Sequence, residues 1–247
     1  MKAKDLLKLA NFPSILIYGV AGTGKTALVS QAKDSYMLDF DDGMRTAALL
    51  NDDFTSLRQA CEFDTYVDQD PSHPTAYLKA ERKIFELSKQ SAAKQLKYRC
   101  IIIDSLSGLV KSMRLQVMTQ AGDSFKQPQI QHWGIMVNET EKLLTILRSL
   151  NCLLIVTAHE TTLEVDRENL IRPLSVTQKH SINNLMWLFD EVWHTSIRPA
   201  GQNKHKYIVS SNATGCIAAR TRAGNTWSLD VTNVGLKAVL EKIKYEM

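Results

Sequence analysis

The run Ile15-Leu16-Ile17-Tyr18, followed by GVAGTGKT from Gly19 to Thr26, decides how this chain is read. An uninterrupted apolar run of this length is a strand covered on both faces. The residues after it match G-x-x-x-x-G-K-[ST], a loop whose glycines let the backbone turn its N–H groups inward around phosphates. A chance match in a chain this long is on the order of one in a hundred at average residue frequencies. The strand before the loop and the helix pattern after it make chance a poorer explanation than a nucleotide site. The expected cradle is Gly19, Val20, Ala21, Gly22, Thr23, Gly24, Lys25, Thr26 and Ala27. Lys25 would reach the β- and γ-phosphates, and Thr26 would offer its hydroxyl to Mg²⁺. A loop of this kind does not choose among kinases, switches, motors and recombinases.

Working outward, ILIY is followed by a helix pattern in GKTALVSQAK and by a second strand, SYMLDF. CEFDTYV suggests a short edge strand, and residues 74–93 have helical spacing with Pro74 in the first turn. CIIID is a third buried strand, SLSGLVKSMRLQVMTQ a helix, and IQHWGIMVNETEKLLTILRSL a long amphipathic helix. NCLLIVTAH is a fourth buried strand. Alternating strands and helices with continuously apolar strands predict a parallel sheet covered on both faces. After His159 the pattern changes. TTLEVDRENLIRPLSV reads as a β-hairpin, and TQKHSINNLMWLF as a helix. DEVWHTSIRP, KHKYIVSSN and TGCIAAR read as strands of an antiparallel extension, and NVGLKAVLEKIKYEM as a closing helix. A short helix is expected over Lys4 to Asn11. The expected fold class is α/β: a mostly parallel central sheet flanked by helices, with an antiparallel C-terminal extension, in one domain spanning 1–247.

With 247 residues, 44% hydrophobic and 23% charged, the composition is that of a globular protein. A net charge of +4 permits a polyanionic partner without demanding one. Cys61, Cys100, Cys152 and Cys216 are far apart, so zinc and disulfide frameworks are not expected, and Cys100 and Cys152 read as buried. The start MKAKDLLKLANFP is too polar for a signal peptide, and no apolar run reaches the length of a membrane span. The expected location is the cytoplasm, with no membrane partner.

Asp104 closes the third strand at the sheet edge where ligands of open α/β folds bind. That position suits a carboxylate holding the water shell of Mg²⁺; the plainer alternative is a cap for the helix beginning near Ser105. Asp39, Asp41 and Asp42 cluster in LDFDDGMR at the same edge. Asp39 and Asp41 share a face if the strand runs that far. Asp41 is the candidate base for activating water, against a merely solvated acidic turn. His159 ends the fourth strand, either as a γ-phosphate contact or as an ordinary strand-end histidine. HE at His159 lacks the second histidine of a zinc hydrolase motif.

The order GVAGTGKTALVSQA, MLDFDDGMR, CIIIDSLSGLV and LLIVTAHE resembles the RecA-like core. More closely, the chain resembles the phage nucleotide-binding AAA-domain family, which includes core-only RecA-like single-strand annealing recombinases. QIQHWGIMVNETEKLLTILRSL, RPLSVTQKHSINNLMWLFDEVW and KYIVSSNATGCIAARTRAG extend the likeness over nearly the whole chain. The resemblance implies an ATPase using ATP and Mg²⁺, with Asp41 at the position of a catalytic glutamate and Asp42 as its fallback. It implies His159 as a sensor, and Arg220 and Arg222 near the residues that reach a neighbouring subunit's γ-phosphate. Arg45 would lie against the adenine. The stretch from Glu160 to Gln178 falls where such proteins place a DNA-binding loop. The implied partners are single-stranded DNA, further copies of the chain in a ring or filament with ATP between subunits, and a single-strand binding protein. The chain departs from the larger recombinases in having no added DNA-binding domain and no F-x-x-A linking segment.

Single strands are held by cations and planar groups. The segment after His159 offers Arg167, Arg172, Lys179 and His180, diluted by Glu164, Asp166 and Glu168. A second loop, AGDSFKQPQIQHW, offers Phe125, Lys126, His132 and Trp133. Both also read as ordinary loop chemistry, with Trp133 packed inward. The basic run from Lys79 to Arg99 reads as the solvated face of a helix. The resulting expectation is an ATPase acting on single-stranded DNA in annealing or strand exchange. A hexameric helicase-like motor, a small-molecule kinase and a nucleotide-gated interaction module stand as the alternatives.

Overall fold

The computed structural model describes residues 12–123, 126–165, 168–177, 185–201 and 204–246. Its centre is the strand that opened the sequence reading, β1 (Ser14–Gly19), buried along its whole length. Beside it run β2 (Ser35–Asp39), β3 (Glu62–Thr65), β4 (Cys100–Asp104) and β5 (Leu153–Val165). The remaining strands are β6 (Glu168–Pro173), β7 (Glu191–Pro199), β8 (His205–Ser210) and β9 (Ser228–Asp230). The sheet order is β3-β2-β4-β5-β1-β7-β8-β9, with β6 paired to β5 off this path. β1 through β5 and β7 pair in parallel, while β8, β9 and the β5–β6 hairpin are antiparallel. This is the mostly parallel sheet with antiparallel C-terminal strands that the sequence predicted. One detail differs: β7 was expected in the extension but belongs to the parallel part.

Strand alternation divides the apolar runs between two layers. Leu16, Tyr18, Ile101 and Ile103 face one side. There they meet α4 (Ala76–Ala92), α5 (Leu106–Gln120) and α6 (Ile130–Arg148). Ile15, Ile17, Cys100 and Ile102 face the other. That side is covered by α1 (Lys25–Val29), α2 (Met44–Ala47) and α7 (Gly235–Lys242). A strand apolar at every position is therefore useful only when both faces are roofed, which is the case here. Cys100 and Cys152 are buried and unpaired, as expected. No helix among the described residues is long and apolar enough to cross a membrane.

Several elements differ from expectation for local reasons. The helix after the P-loop is short because the Gln31 amide donates to the Ala27 carbonyl at 3.1 Å, while the Gln31 backbone N–H bonds Leu28. The side chain thus competes with the helical ladder. Its other amide atom accepts from Leu236 N at 2.9 Å, tying α1 to α7. TGCIAAR is not a strand; it makes isolated bridges at Thr214–Ile217, Ile171–Ile217 and Val192–Arg220. The sheet instead ends in β9. The helices α2 and α3 (Thr55–Gln59) were not anticipated. The helix expected over 4–11 and residues 178–184 of the helix expected over 177–189 lie outside the described residues; the latter stretch ends in a 3-10 turn, Leu185–Leu188.

Candidate nucleotide site

The P-loop closes at the end of β1, between β5 and β7. Gly22 (φ 83°) and Gly24 (φ 77°) are in the left-handed region that side chains resist. A Cβ on Gly19 would collide with Thr195 of β7. Thr23 Oγ1 lies 2.7 Å from Thr195 Oγ1, so β7 braces the loop from below. Lys25 is buried, and its ammonium donates to the carbonyls of Gly19 (2.9 Å) and Val20 (2.8 Å). Burial lowers the Lys25 pKa, and the carboxylates of Asp104, Asp41 and Glu160 oppose that shift.

Thr26 and Asp104 meet as the motif spacing predicted. Thr26 Oγ1 donates to Asp104 Oδ2 at 2.6 Å, and Thr157 of β5 donates to Asp104 Oδ1. Burial raises the Asp104 pKa even though both hydroxyls stabilise its charge. A Cβ on Gly43 would come 3.0 Å from Thr26 Oγ1 and 3.4 Å from Asp104 Oδ2, so glycine keeps that flank open. One hydroxyl and one carboxylate are a hard-oxygen set that suits Mg²⁺ carrying waters and phosphate oxygens. No cluster of three or more His, Cys, Asp or Glu suited to a metal occurs among the described residues, so an all-protein cage is not offered.

The three acidic residues after β2 separate. The strand ends at Asp39, so Asp39 and Asp41 do not share a strand face as expected. Asp39 is buried and accepts from the backbone N–H groups of Asp41, Gly43 and Met44, capping α2. Asp42 sits at φ 55° and pairs with Arg45 at 3.1 Å on the surface. Asp41 turns inward. Its Oδ2 accepts from Ser105 Oγ at 2.6 Å and lies 3.2 Å from His159 Nε2. Burial pushes its pKa up, but the hydrogen bonds from His159 and Ser105 and the charge of Lys25 outweigh this and hold it below the usual range. A Cβ on Gly108 would strike Asp41 Oδ1 at 2.6 Å, so the start of α5 fits closely around this carboxylate. Ser105 also caps α5, accepting from Gly108 N at 3.1 Å.

Other predicted residues lie away from this cluster. Arg222 donates to Asp190 Oδ1 at 2.5 Å, and Arg220 donates to the Phe189 carbonyl and covers the Trp187 ring at 5.5 Å. Asp190 also accepts from Ser14 N at the start of β1. Both guanidinium groups are thus about a strand's length, roughly 16 Å, from the P-loop of their own chain. Arg45 is exposed on the surface beside Asp42. Arg172 donates to the carbonyls of Ile171 (3.0 Å) and Cys216 (3.1 Å), joining the hairpin to the following turn. Lys126 pairs with Asp123 at 2.6 Å. His132 is buried as the capping partner of Gln129, whereas Trp133 is half-buried, packing one side against the core. Arg167, Lys179, His180 and Phe125 lie outside the described residues. Within α4, Lys79, Arg82 and Lys89 are exposed, as a solvated face requires.

Sequence reasoning missed Ser105, Thr157, Gly43 and Thr195. Thr157 stands two residues before His159 on the same strand, a signal that becomes readable only once β4 and β5 are known to be adjacent.

The family model described as an AAA domain matches residues 11–223. The chain belongs to that family, a family of P-loop ATPases. No curated protein matches it. Among solved structures it is similar to a prototypical ATPase from the type III secretion system of pathogenic bacteria, at 14% identity and TM-score 0.48. That match covers 74% of this chain and 52% of the other, so the chain spans about half the length of that protein. It is also similar to the flagellar accessory protein FlaH from Methanocaldococcus jannaschii, at 13% identity and TM-score 0.39, covering 85% of this chain and 84% of the other.

Proposed function

We propose that this chain binds and hydrolyses MgATP and uses the nucleotide state to control its grip on single-stranded DNA, in annealing or strand exchange. Lys25 and the loop backbone hold the β- and γ-phosphates, with Thr26 and Asp104 on the metal side. Mg²⁺ held there would neutralise charge on the transferring phosphoryl oxygens. Asp41 orients and deprotonates the attacking water. An arginine of a neighbouring copy, Arg220 or Arg222, completes the site from across a subunit interface.

The observation that carries this reading is the contact between Asp41 and His159. It joins the candidate base to β5, and β5 continues from His159 directly into the β5–β6 hairpin. A change at the γ-phosphate that moves His159 therefore pulls on the root of that hairpin. Arg172 of the hairpin, together with Arg167, Lys179 and Lys126 from the two candidate sequence segments, are the cations proposed for DNA phosphates.

The test is steady-state ATP hydrolysis with and without single-stranded DNA, in the wild type and in Lys25→Ala. Stimulation by DNA with loss of turnover in Lys25→Ala supports the proposal. Full turnover in Lys25→Ala removes the site assignment. A rate indifferent to DNA removes the DNA reading and leaves a nucleotide-gated module or a kinase.

A further inference from the structure

Glu160 and His194 interrupt an otherwise apolar layer at the rim of the sheet. Tyr18 pairs in register with Ala158 of β5 on one side and with His194 of β7 on the other. Alternation puts Glu160, two residues beyond Ala158, on that same face. The His194 ring stands edge-on to the Tyr18 ring at 5.1 Å, and its Nε2 lies 3.0 Å from Glu160 Oε2. The contact therefore crosses β1 at the residue before the P-loop begins. His194 is buried, and 17% of the Glu160 side chain is exposed. Leu16, Val156, Ala158 and Val192 in the same layer are apolar and buried. Replacing a buried ion pair by apolar side chains of like volume is often neutral or stabilising, so packing alone gives no reason for this pair.

Each partner sits at a junction. Glu160 forms the first rung of the β5–β6 hairpin, opposite Pro173. His194 is followed by Thr195, whose Oγ1 donates to the Tyr18 carbonyl at 3.2 Å and meets Thr23 of the P-loop. Tyr18 adds a second tie: its hydroxyl lies 2.5 Å from the Ala218 carbonyl and 3.3 Å from the Ile171 carbonyl of β6. The charge of Glu160 also acts on the Lys25 ammonium, together with Asp104 and Asp41. Phosphates that draw this ammonium away from the Gly19 and Val20 carbonyls take up its charge as well. Glu160 is then left to His194, and their contact strengthens.

We propose that Glu160 and His194 are positioning residues that tighten the root of the β5–β6 hairpin when nucleotide fills the P-loop. This route runs through β1 and β7. It is separate from the Asp41–His159 contact, because successive residues of β5 point to opposite faces. The inference rests on the reading of the P-loop as a nucleotide site and does not require DNA.

The test is hydrogen exchange of the backbone amides at 160–164 and 169–173 in the full chain, without nucleotide and with a saturating non-hydrolysable MgATP analogue. Calorimetry follows binding of the analogue in each variant. In the wild type the analogue should slow exchange at these amides about tenfold, the worth of one hydrogen bond to a charged group. His194→Ala should exchange fast in both states. Glu160→Gln keeps an acceptor for the His194 N–H and removes the charge. Its hairpin should exchange as slowly as that of the nucleotide-free wild type, and the analogue should change the rate by less than about twofold. A merely structural hydrogen bond would leave the full response in Glu160→Gln, and that result overturns the proposal. Glu160→Gln decides the matter alone if His194→Ala does not fold. A wild type that binds the analogue without any slowing at the hairpin also overturns it. A wild type that does not bind the analogue overturns the nucleotide site, and the proposal with it.

Discussion

Asp41 differs from its two acidic neighbours by what touches it. Asp39 is consumed by backbone N–H groups and Asp42 by Arg45, so Asp41 alone of the three meets Ser105 and His159. Asp41→Asn should keep ATP affinity near that of the wild type and lower kcat by about 10²–10⁴-fold, the usual worth of a positioned base. Equal kcat would return the role to another group. The pKa of Asp41 is held down, so the wild-type rate should stay level from neutral pH to below the ordinary carboxylate range. His159→Ala removes one of the interactions that depress it, and the acid limb of the kcat profile should move to higher pH. An unmoved limb would separate His159 from the base. Asp104 carries the opposite sign. Its folded pKa is raised, so the folded chain binds the proton more tightly than the unfolded chain, and ionisation at neutral pH costs stability. Asp104→Asn should therefore raise the melting midpoint of the nucleotide-free protein. The same variant should lose the Mg²⁺ dependence of ATP binding. A lower midpoint would mean that the two threonine hydroxyls stabilise this carboxylate more than burial costs it.

The β5–β6 hairpin is the element that gives the site something to move. Its register runs from Glu160–Pro173 to Val165–Glu168, with His159 at its root and Ser107 accepting from the His159 backbone N–H at 3.0 Å. Replacing residues 165–168 with a two-residue Asn-Gly turn should leave the basal ATPase rate unchanged and abolish its stimulation by single-stranded DNA. Full stimulation in that variant would place the DNA contact elsewhere. The hairpin was legible in the sequence because alternation around a polar turn is a local signal. So were ILIY, CIIID and LLIVTAH, whose unbroken apolar runs need roofs on both faces, and so was the meeting of Thr26 with Asp104 implied by the motif. TGCIAAR misled because a short apolar run carries no information about pairing partners; its neighbours take single bridges only. Thr195 under Gly19 and the meeting of Glu160 with His194 were not legible. These residues are far apart in the chain, and no periodicity encodes their approach. The inward turn of His132 was hidden for a different reason: a histidine three residues into a helix looks the same in sequence whether it caps the helix or faces solvent.

At the scale of the whole molecule, one copy of the chain holds phosphate-binding groups at one end of β1 and arginines at the other. Arg222 beside Asp190, and Arg220 over Trp187, cannot reach the Lys25 of their own chain across a strand's length of sheet. Any part they take in hydrolysis must be in a second copy, whose P-loop end packs against the first copy's arginine end. Such a head-to-tail contact is heterologous, and it propagates into a ring or a filament. Trp187, 69% exposed beside the arginine pair, gives that end an apolar group to bury. The arrangement can be tested by mixing two inactive variants. Lys25→Ala keeps its arginines and loses its phosphate site, while Arg222→Ala does the reverse. Each alone should hydrolyse ATP at a rate reduced by about 10³-fold or more if the arginine acts as a trans-acting finger. In an equimolar mixture that exchanges subunits at random, about one interface in four joins an intact P-loop to an intact arginine. The mixture should then recover about a quarter of the wild-type rate, rising with protein concentration as assembly proceeds. Recovery in the Arg222→Ala mixture and none with Arg220→Ala in its place would assign the finger to Arg222. No recovery with either would confine both arginines to holding Asp190 and Phe189 within their own chain.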